Sequence, residues 1–208
     1  MPSTPAFAGA TATGAGGFEL QFGNIKVIVM PDVFDDASVA ANSAETNLEP
    51  VNHPSYTIQP AYEWKADKIT KIAPHPNVPD VIYKVETHYG PGADPAGKSG
   101  YGAGTAAGDI AAGNTTLRFH EGSHGTIFIQ EIKNNYAANS YPVFTAKVGD
   151  KKEAFEKYLS DYAAKVNAFR QMLTNAIDAS TQKVDCVGKT IEQFHKEKGT
   201  VSTVKCKP

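Results

Sequence analysis

Thr115-Thr116-Leu117-Arg118-Phe119-His120-Glu121-Gly122-Ser123-His124-Gly125-Thr126-Ile127-Phe128-Ile129-Gln130-Glu131-Ile132 is the stretch around which the rest of the chain is organised. Leu117, His120, His124, Ile127, Phe128, Glu131 and Ile132 recur at three- and four-residue spacing, the period of an amphipathic helix. Thr115 or Thr116 can cap its start, because a threonine hydroxyl accepts one of the amide protons left unpaired at a helix N-terminus. The spacing predicts a helix running to about Ala138. His120 and His124 then share one helical face, with Cβ atoms roughly 5–6 Å apart. Glu121 projects about 100° away from them. Gly122 and Gly125 are costly inside a helix, by roughly 1 kcal/mol each relative to alanine, so they suggest close approach by another segment or a ligand.

Downstream, residues 151–178 carry a second apolar stripe: Phe155, Tyr158, Leu159, Tyr162, Val166, Phe169, Met172, Leu173 and Ile177. A second helix is expected there, packed antiparallel on the first. A short third helix over 189–198 would bury Val187, Ile191 and Phe194. Upstream, the pattern is that of strands. In Val81 to Tyr89 the odd positions are Val, Tyr, Val, Thr and Tyr, while Lys84, Glu86 and His88 fall on the other face. Phe18 to Met30 and Tyr56 to Ile72 are also strand-like, and prolines punctuate this half of the chain. Between the halves, residues 90–113 are mostly Gly and Ala and read as a long mobile loop, a candidate lid. The expected organisation is an N-terminal lead over 1–17 and one domain over 18–208, strand-rich to 89, Gly-rich over 90–113 and helical over 114–208. The fold class is α+β, a small, mainly antiparallel N-terminal sheet packed against the His-bearing helix and a long second helix.

His-Glu-x-x-His on a helix carries a chemistry. Two imidazoles on one face can converge on a tetrahedral Zn²⁺, and a glutamate between them can address water at the ion without itself being a ligand. His120 and His124 are therefore candidate metal ligands, with Glu121 as candidate general base and then acid. The competing view makes both histidines hydrogen-bonded core residues. A catalytic zinc normally has a third protein ligand. Glu131 points the same way as His124 but lies about 10 Å further along the axis, at 1.5 Å per residue. Glu156-Lys157-Tyr158-Leu159-Ser160-Asp161 is similar to the gluzincin pattern Asn-Glu-x-x-Ser-Asp, but its spacing is one residue longer and the Asn is absent. If the two helices run antiparallel, residues level with His120 fall near Asn167 to Gln171, where there is no carboxylate. That argues against a gluzincin. The chain beyond Asp178 must return toward the first helix, and it brings Asp185, Glu192 and His195 into range. His195, beside Phe194 on the buried side of the short helix, and Asp185, beside Cys186, both remain candidates for the third ligand. Tyr101, Tyr158 and Tyr162 are candidates to stabilise an oxyanion.

The His-Glu-x-x-His motif at a helix start, the long second helix, and Gln182-Lys183-Val184-Asp185 followed by Thr190 resemble a family of predicted secreted bacterial zinc-dependent proteases of unknown substrate. The resemblance covers residues 81–198. Members carry Gln-x-x-Tyr-Asp-x-x-Thr-x-His-Gly after the helix pair, where this chain has Val184 in place of the Tyr and lacks the Thr-x-His spacing. The resemblance implies a zincin-like metallopeptidase acting on protein or peptide, secreted or exported as an effector or toxin, with a small antiparallel sheet beside the active-site helix.

Composition limits the alternatives. The 208 residues are 41% hydrophobic and 20% charged with net charge -2, which offers little attraction to nucleic acid or acidic lipid. No run approaches the roughly 20 apolar residues of a membrane span. The N-terminus has neither the basic nor the apolar region of a secretory signal. Cys186 and Cys206 can close a loop stabilising the fold by about 3 kcal/mol, and they tilt expectation toward an oxidising compartment. Two other readings stand. Gly92-Ala93-Asp94-Pro95-Ala96-Gly97-Lys98-Ser99 matches a nucleotide-binding loop, but Gly100, Gly102 and Gly104 follow where a helix should begin. The other is a non-catalytic binding or toxin module whose metal site is structural or absent.

Overall fold

The computed structural model describes residues 11–12, 16–52, 60–73 and 81–207. The strands are β1 (Thr11–Ala12), β2 (Phe18–Phe22), β3 (Ile25–Val29), β4 (Ala44–Asn52), β5 (Ala61–Lys65), β6 (Lys68–Ala73) and β7 (Val81–Tyr89). The helices are α1 (Ala107–Ala111), α2 (Leu117–Asn139), α3 (Lys152–Asp185) and α4 (Ile191–Glu197). The fold is α+β, with a small sheet and long helices. Most of the expected N-terminal lead lies outside the described residues, as do residues 56–59 of the strand-like region expected over Tyr56 to Ile72.

Five strands form one sheet in the order β1-β2-β3-β7-β4, and β5 and β6 form a separate hairpin. The sheet is mixed: β3 runs parallel to β7, and the other pairs are antiparallel. β7 alternates as its sequence demands, with Val81, Tyr83, Val85, Thr87 and Tyr89 buried and the residues between them half-exposed. Its buried face meets α2, where Phe128, Ile129 and Ile132 complete the core with Phe169 and Leu173 of α3. A Cβ on Gly125 would come within 2.9 Å of Val85, so this glycine lets α2 lie close on the sheet. Gly122 meets nothing and is exposed. Pro50 lies in β4, at the end of the sheet order, where a missing N–H is tolerated and the register shifts.

Two expectations are corrected. The second helix does not stop near Asp178: α3 has 34 residues and ends at Asp185. Its buried stripe continues through Ala176, Ser180 and Val184. The helix pair is also offset. Residues 140–151 do not turn tightly but run on past the end of α2, burying Tyr141, Phe144 and Ala146. Phe144 stacks edge-on against Phe155, Tyr158 and Tyr162. α3 therefore starts further out, and its last turns, rather than residues 167–171, lie beside His120 and His124.

The second correction concerns residues 90–113. They contain the single turn α1, and the segment is pinned rather than detached. Leu117 and Arg118 donate to the carbonyls of Gly97 and Pro95, and Ser99 donates to that of Thr115. Gly102 and Ala103 donate to the carbonyls of Lys189 and Val184, each at 2.7 Å. Between Lys98 and α1 the chain forms turns and bends, so no helix opens at Gly97-Lys98-Ser99 to receive a phosphate.

Candidate metal centre

α2 begins where the sequence placed it. Thr116 is the N-cap, and its hydroxyl accepts from the Phe119 N–H. His120 then sits in the first turn, 1% exposed, with Glu121 beside it at 3%. One turn on, His124 is half-buried at the edge of a cleft. Asp185, the last residue of α3, comes in from the opposite side at 6% exposed.

His120, His124 and Asp185 each offer one donor atom, and the three atoms lie within 4.8 Å of one another. Oδ1 of Asp185 is 3.3 Å from Nε2 of His120 and 3.1 Å from Nε2 of His124. The far sides of both rings are already engaged. Nδ1 of His120 lies 3.2 Å from the Ala103 carbonyl, which can only accept. Nδ1 of His124 lies 3.1 Å from the Ser180 hydroxyl, whose own proton is directed at the His124 carbonyl at 3.0 Å. Both Nδ1 atoms are therefore donors, and in a neutral ring that leaves Nε2 as a lone pair. Two lone pairs and a carboxylate oxygen meeting at one point repel unless a positive charge lies among them, either a proton or a metal ion. Nε2 of His120 is buried with no hydrogen-bond partner among the described residues, its contact with Asp185 being misaligned. The donor set thus fits a divalent cation, and the buried cluster could bind one.

The electrostatics are those of a charge-balanced site. Burial opposes ionisation of Asp185, but the two imidazoles outweigh it and hold its pKa down at about 2. Burial also opposes protonation of His120, yet Asp185 and Glu121 together raise its pKa. Glu121 is shifted up, chiefly by burial and against the pull of both histidines and Thr46. Thr46 of β4 donates to Oε2 of Glu121 at 2.9 Å and fixes the carboxylate on the cleft side.

The Gly-rich segment supplies the backing of the site. Gly102 has φ +66°, and a Cβ there would lie 2.3 Å from the Val184 carbonyl and 2.8 Å from Cε1 of His120. Only glycine fits between the imidazole and the end of α3. The next residue gives His120 its carbonyl, and the preceding one, Tyr101, meets the His120 ring edge-on at 4.9 Å.

The structure brings Asp185 to the histidine pair and does not bring His195. α4 is fixed by a capping box at Thr190 and buries Ile191, which leaves His195 to bond Thr200 through Nδ1 at 2.8 Å, in the turn that follows the helix. Among the tyrosines, Tyr101 borders the cleft, whereas Tyr158 and Tyr162 belong to the aromatic cluster around Phe144. The sequence reading missed Ser180, Ala103 and Thr46, which orient the three residues of the motif. Ser180 was the most accessible of these, as a small polar residue in phase with the stripe of α3.

Cys186 caps α3 immediately after Asp185 and is bonded to Cys206. Among the described residues no helix is long and apolar enough to cross a membrane. No protein-family model matches the chain, and no curated protein or solved structure is significantly similar to it.

Proposed function

We propose that the protein is a zinc-dependent peptidase. One observation carries the reading: three metal-ligating atoms converge beside a cleft that His124 and Asp185 line, and a buried glutamate, Glu121, stands next to them. His120, His124 and Asp185 would hold the ion. A zinc bound there supplies Lewis-acid polarisation of a peptide carbonyl and of water. Glu121 is neither among the three converging donors nor exposed, and burial raises its proton affinity toward the range in which a carboxylate both accepts and returns a proton. It takes a proton from the attacking water and passes it to the departing amine nitrogen. Thr46 keeps Oε2 in place during both transfers.

Tyr101 keeps its phenolic proton, since burial and the charges of Asp185 and Glu121 all raise its pKa. That proton is available to an oxygen that becomes negative in the cleft. A peptide is favoured over other acyl substrates because β4 ends the sheet order and borders the cleft, so an extended chain can pair along it. The disulfide is compatible with an oxidising compartment, and we place the enzyme outside the reducing cytosol, as a secreted protease or exported effector.

Metal content and hydrolysis of an unstructured protein substrate, measured on wild type and Glu121→Gln, test the reading. The wild type should retain one zinc per chain and cleave the substrate, while Glu121→Gln should retain zinc and lose at least about hundredfold in rate. Cleavage that survives the substitution would overturn Glu121 as general base, and a zinc-loaded wild type that cleaves nothing would make a structural zinc the better account.

A further inference from the structure

The segment after α4 is not a loose end. We propose that residues 199–207, strapped down by the Cys186–Cys206 disulfide, form the specificity wall of the cleft, and that this wall selects peptides with an aliphatic side chain beside the scissile bond. The inference rests on the peptidase reading and names its substrate class.

Three observations support it. First, the strap reaches the cleft and is held there. Val204 borders the same cavity of about 320 Å³ as Glu121, His124 and Asp185. It lies two residues from the disulfide, and its N–H and carbonyl both bond the hydroxyl of Ser202, itself 6% exposed. Gln182 of α3 clamps the strap further, donating to the Lys205 carbonyl and accepting from the Lys207 N–H.

Second, the strap's cations are directed elsewhere. Lys205 pairs with Glu192 and Lys207 with Asp178, and it is Val204 of the strap that borders the cleft. Third, apolar side chains stand among the polar ones on the facing walls. Ile177 of α3 stands on one side, with Thr181 one turn on, and Ala44 and Leu48 of β4 stand on another. Glu45 also borders the cavity, but its cross-strand neighbour is His88, on the sheet face that carries the Lys84–Glu86 ion pair. An acidic side chain would be repelled by the carboxylates of Glu121 and Asp185 that line the cleft. An aliphatic side chain meets no such repulsion and can cover Leu48, Ile177 and Val204.

The test uses the full zinc-loaded chain and a series of quenched-fluorescent peptides differing at one residue beside the cleaved bond, as Leu, Glu, Lys or Gly. The wild type should prefer Leu over Glu by at least about tenfold in kcat/KM, the usual discrimination of an apolar pocket. Val204→Lys should lower cleavage of the Leu peptide, raise that of the Glu peptide and leave zinc content unchanged. Ile177→Lys, on the other side of the cleft, should act in the same direction. Binding of the intact peptides to zinc-loaded Glu121→Gln, read by fluorescence anisotropy, should follow the same order without any turnover. Hydrolysis that persists with the Leu-to-Glu ratio unmoved by either lysine would overturn the specificity wall and leave the peptidase standing. A zinc-loaded wild type that neither binds nor cleaves any peptide of the series would overturn both.

Discussion

Two histidine–carboxylate clusters in this protein have opposite geometries. At the end of α3, two imidazoles point their Nε2 atoms at one oxygen of Asp185. On the other face of the sheet, a single imidazole is held between two carboxylates: Nδ1 of His88 lies 2.6 Å from Asp36 and Nε2 lies 2.9 Å from Glu86. The second arrangement is self-sufficient. A protonated ring donates from both edges, both acids are answered, and Lys84 reinforces Glu86 at 2.8 Å. The first is incomplete, because its outer ring edges are spent on Ala103 and Ser180 and its inner ones have only an acceptor to face. Divergent nitrogens make a clamp, and convergent ones make a donor set that could hold a cation.

The comparison is easiest to break at Asp185. Asp185→Ala should weaken zinc binding by more than about hundredfold, the upper end of what even outer partners contribute, whereas His88→Gln should leave zinc affinity unchanged. Competitive titration against a chromophoric chelator checks both, and equal effects would erase the distinction between the clusters. Reduction of Cys186–Cys206 comes next. Closing a loop of this length is worth about 3 kcal/mol, and losing it should lower the denaturation midpoint and loosen the site next door, while the His88 clamp keeps its proton exchange behaviour by NMR.

Smaller effects sharpen the contrast. Ser180→Ala removes the acceptor for Nδ1 of His124 and should cost about tenfold in zinc affinity without changing the ligand set. The smallest effect belongs to the clamp. Burial opposes protonation of His88, but Asp36 and Glu86 raise its pKa above the ordinary 6.5. Its contribution is therefore full below about 6.5 and fades as pH rises through the raised value. Asp36, held down to about 2 first by the hydroxyl and N–H of Ser38 and then by His88, contributes above its ordinary 3.8 and loses this as pH falls through about 2. Urea midpoints of wild type and His88→Gln should differ most near pH 5.5 and converge near pH 8.5, with the gap at its widest under about 1 kcal/mol. A gap that widened with pH would mean that the ring is neutral in the fold.

Much of this was legible in the chain itself. The three- and four-residue spacing of Leu117 to Ile132 defined α2 and put His120, Glu121 and His124 in their places, and the alternation of Val81 to Tyr89 defined the strand beneath it. What escaped was long-range. Apolar periodicity fades after Ile177, which places the end of the helix at Asp178, yet Ala176, Ser180 and Val184 continue its buried stripe with smaller or polar side chains. Ser180 is polar because it faces His124, and its 0% exposure marks it as core all the same. The offset created by residues 140–151 depends on Phe144 finding Phe155 and Tyr162, a tertiary contact with no local signature. The glycines of 90–113 signal freedom when counted, but at Gly102 the missing side chain is what lets the backbone lie against an imidazole.

The central claim is that His120, His124 and Asp185 share one divalent ion. Crystals of the purified protein, measured above and below the zinc absorption edge, test it most directly. The account predicts one anomalous difference peak lying about 2.0–2.2 Å from Nε2 of His120, Nε2 of His124 and an oxygen of Asp185. An empty cluster in zinc-replete crystals, with Asp185 hydrogen-bonded to a protonated imidazole instead, would contradict it.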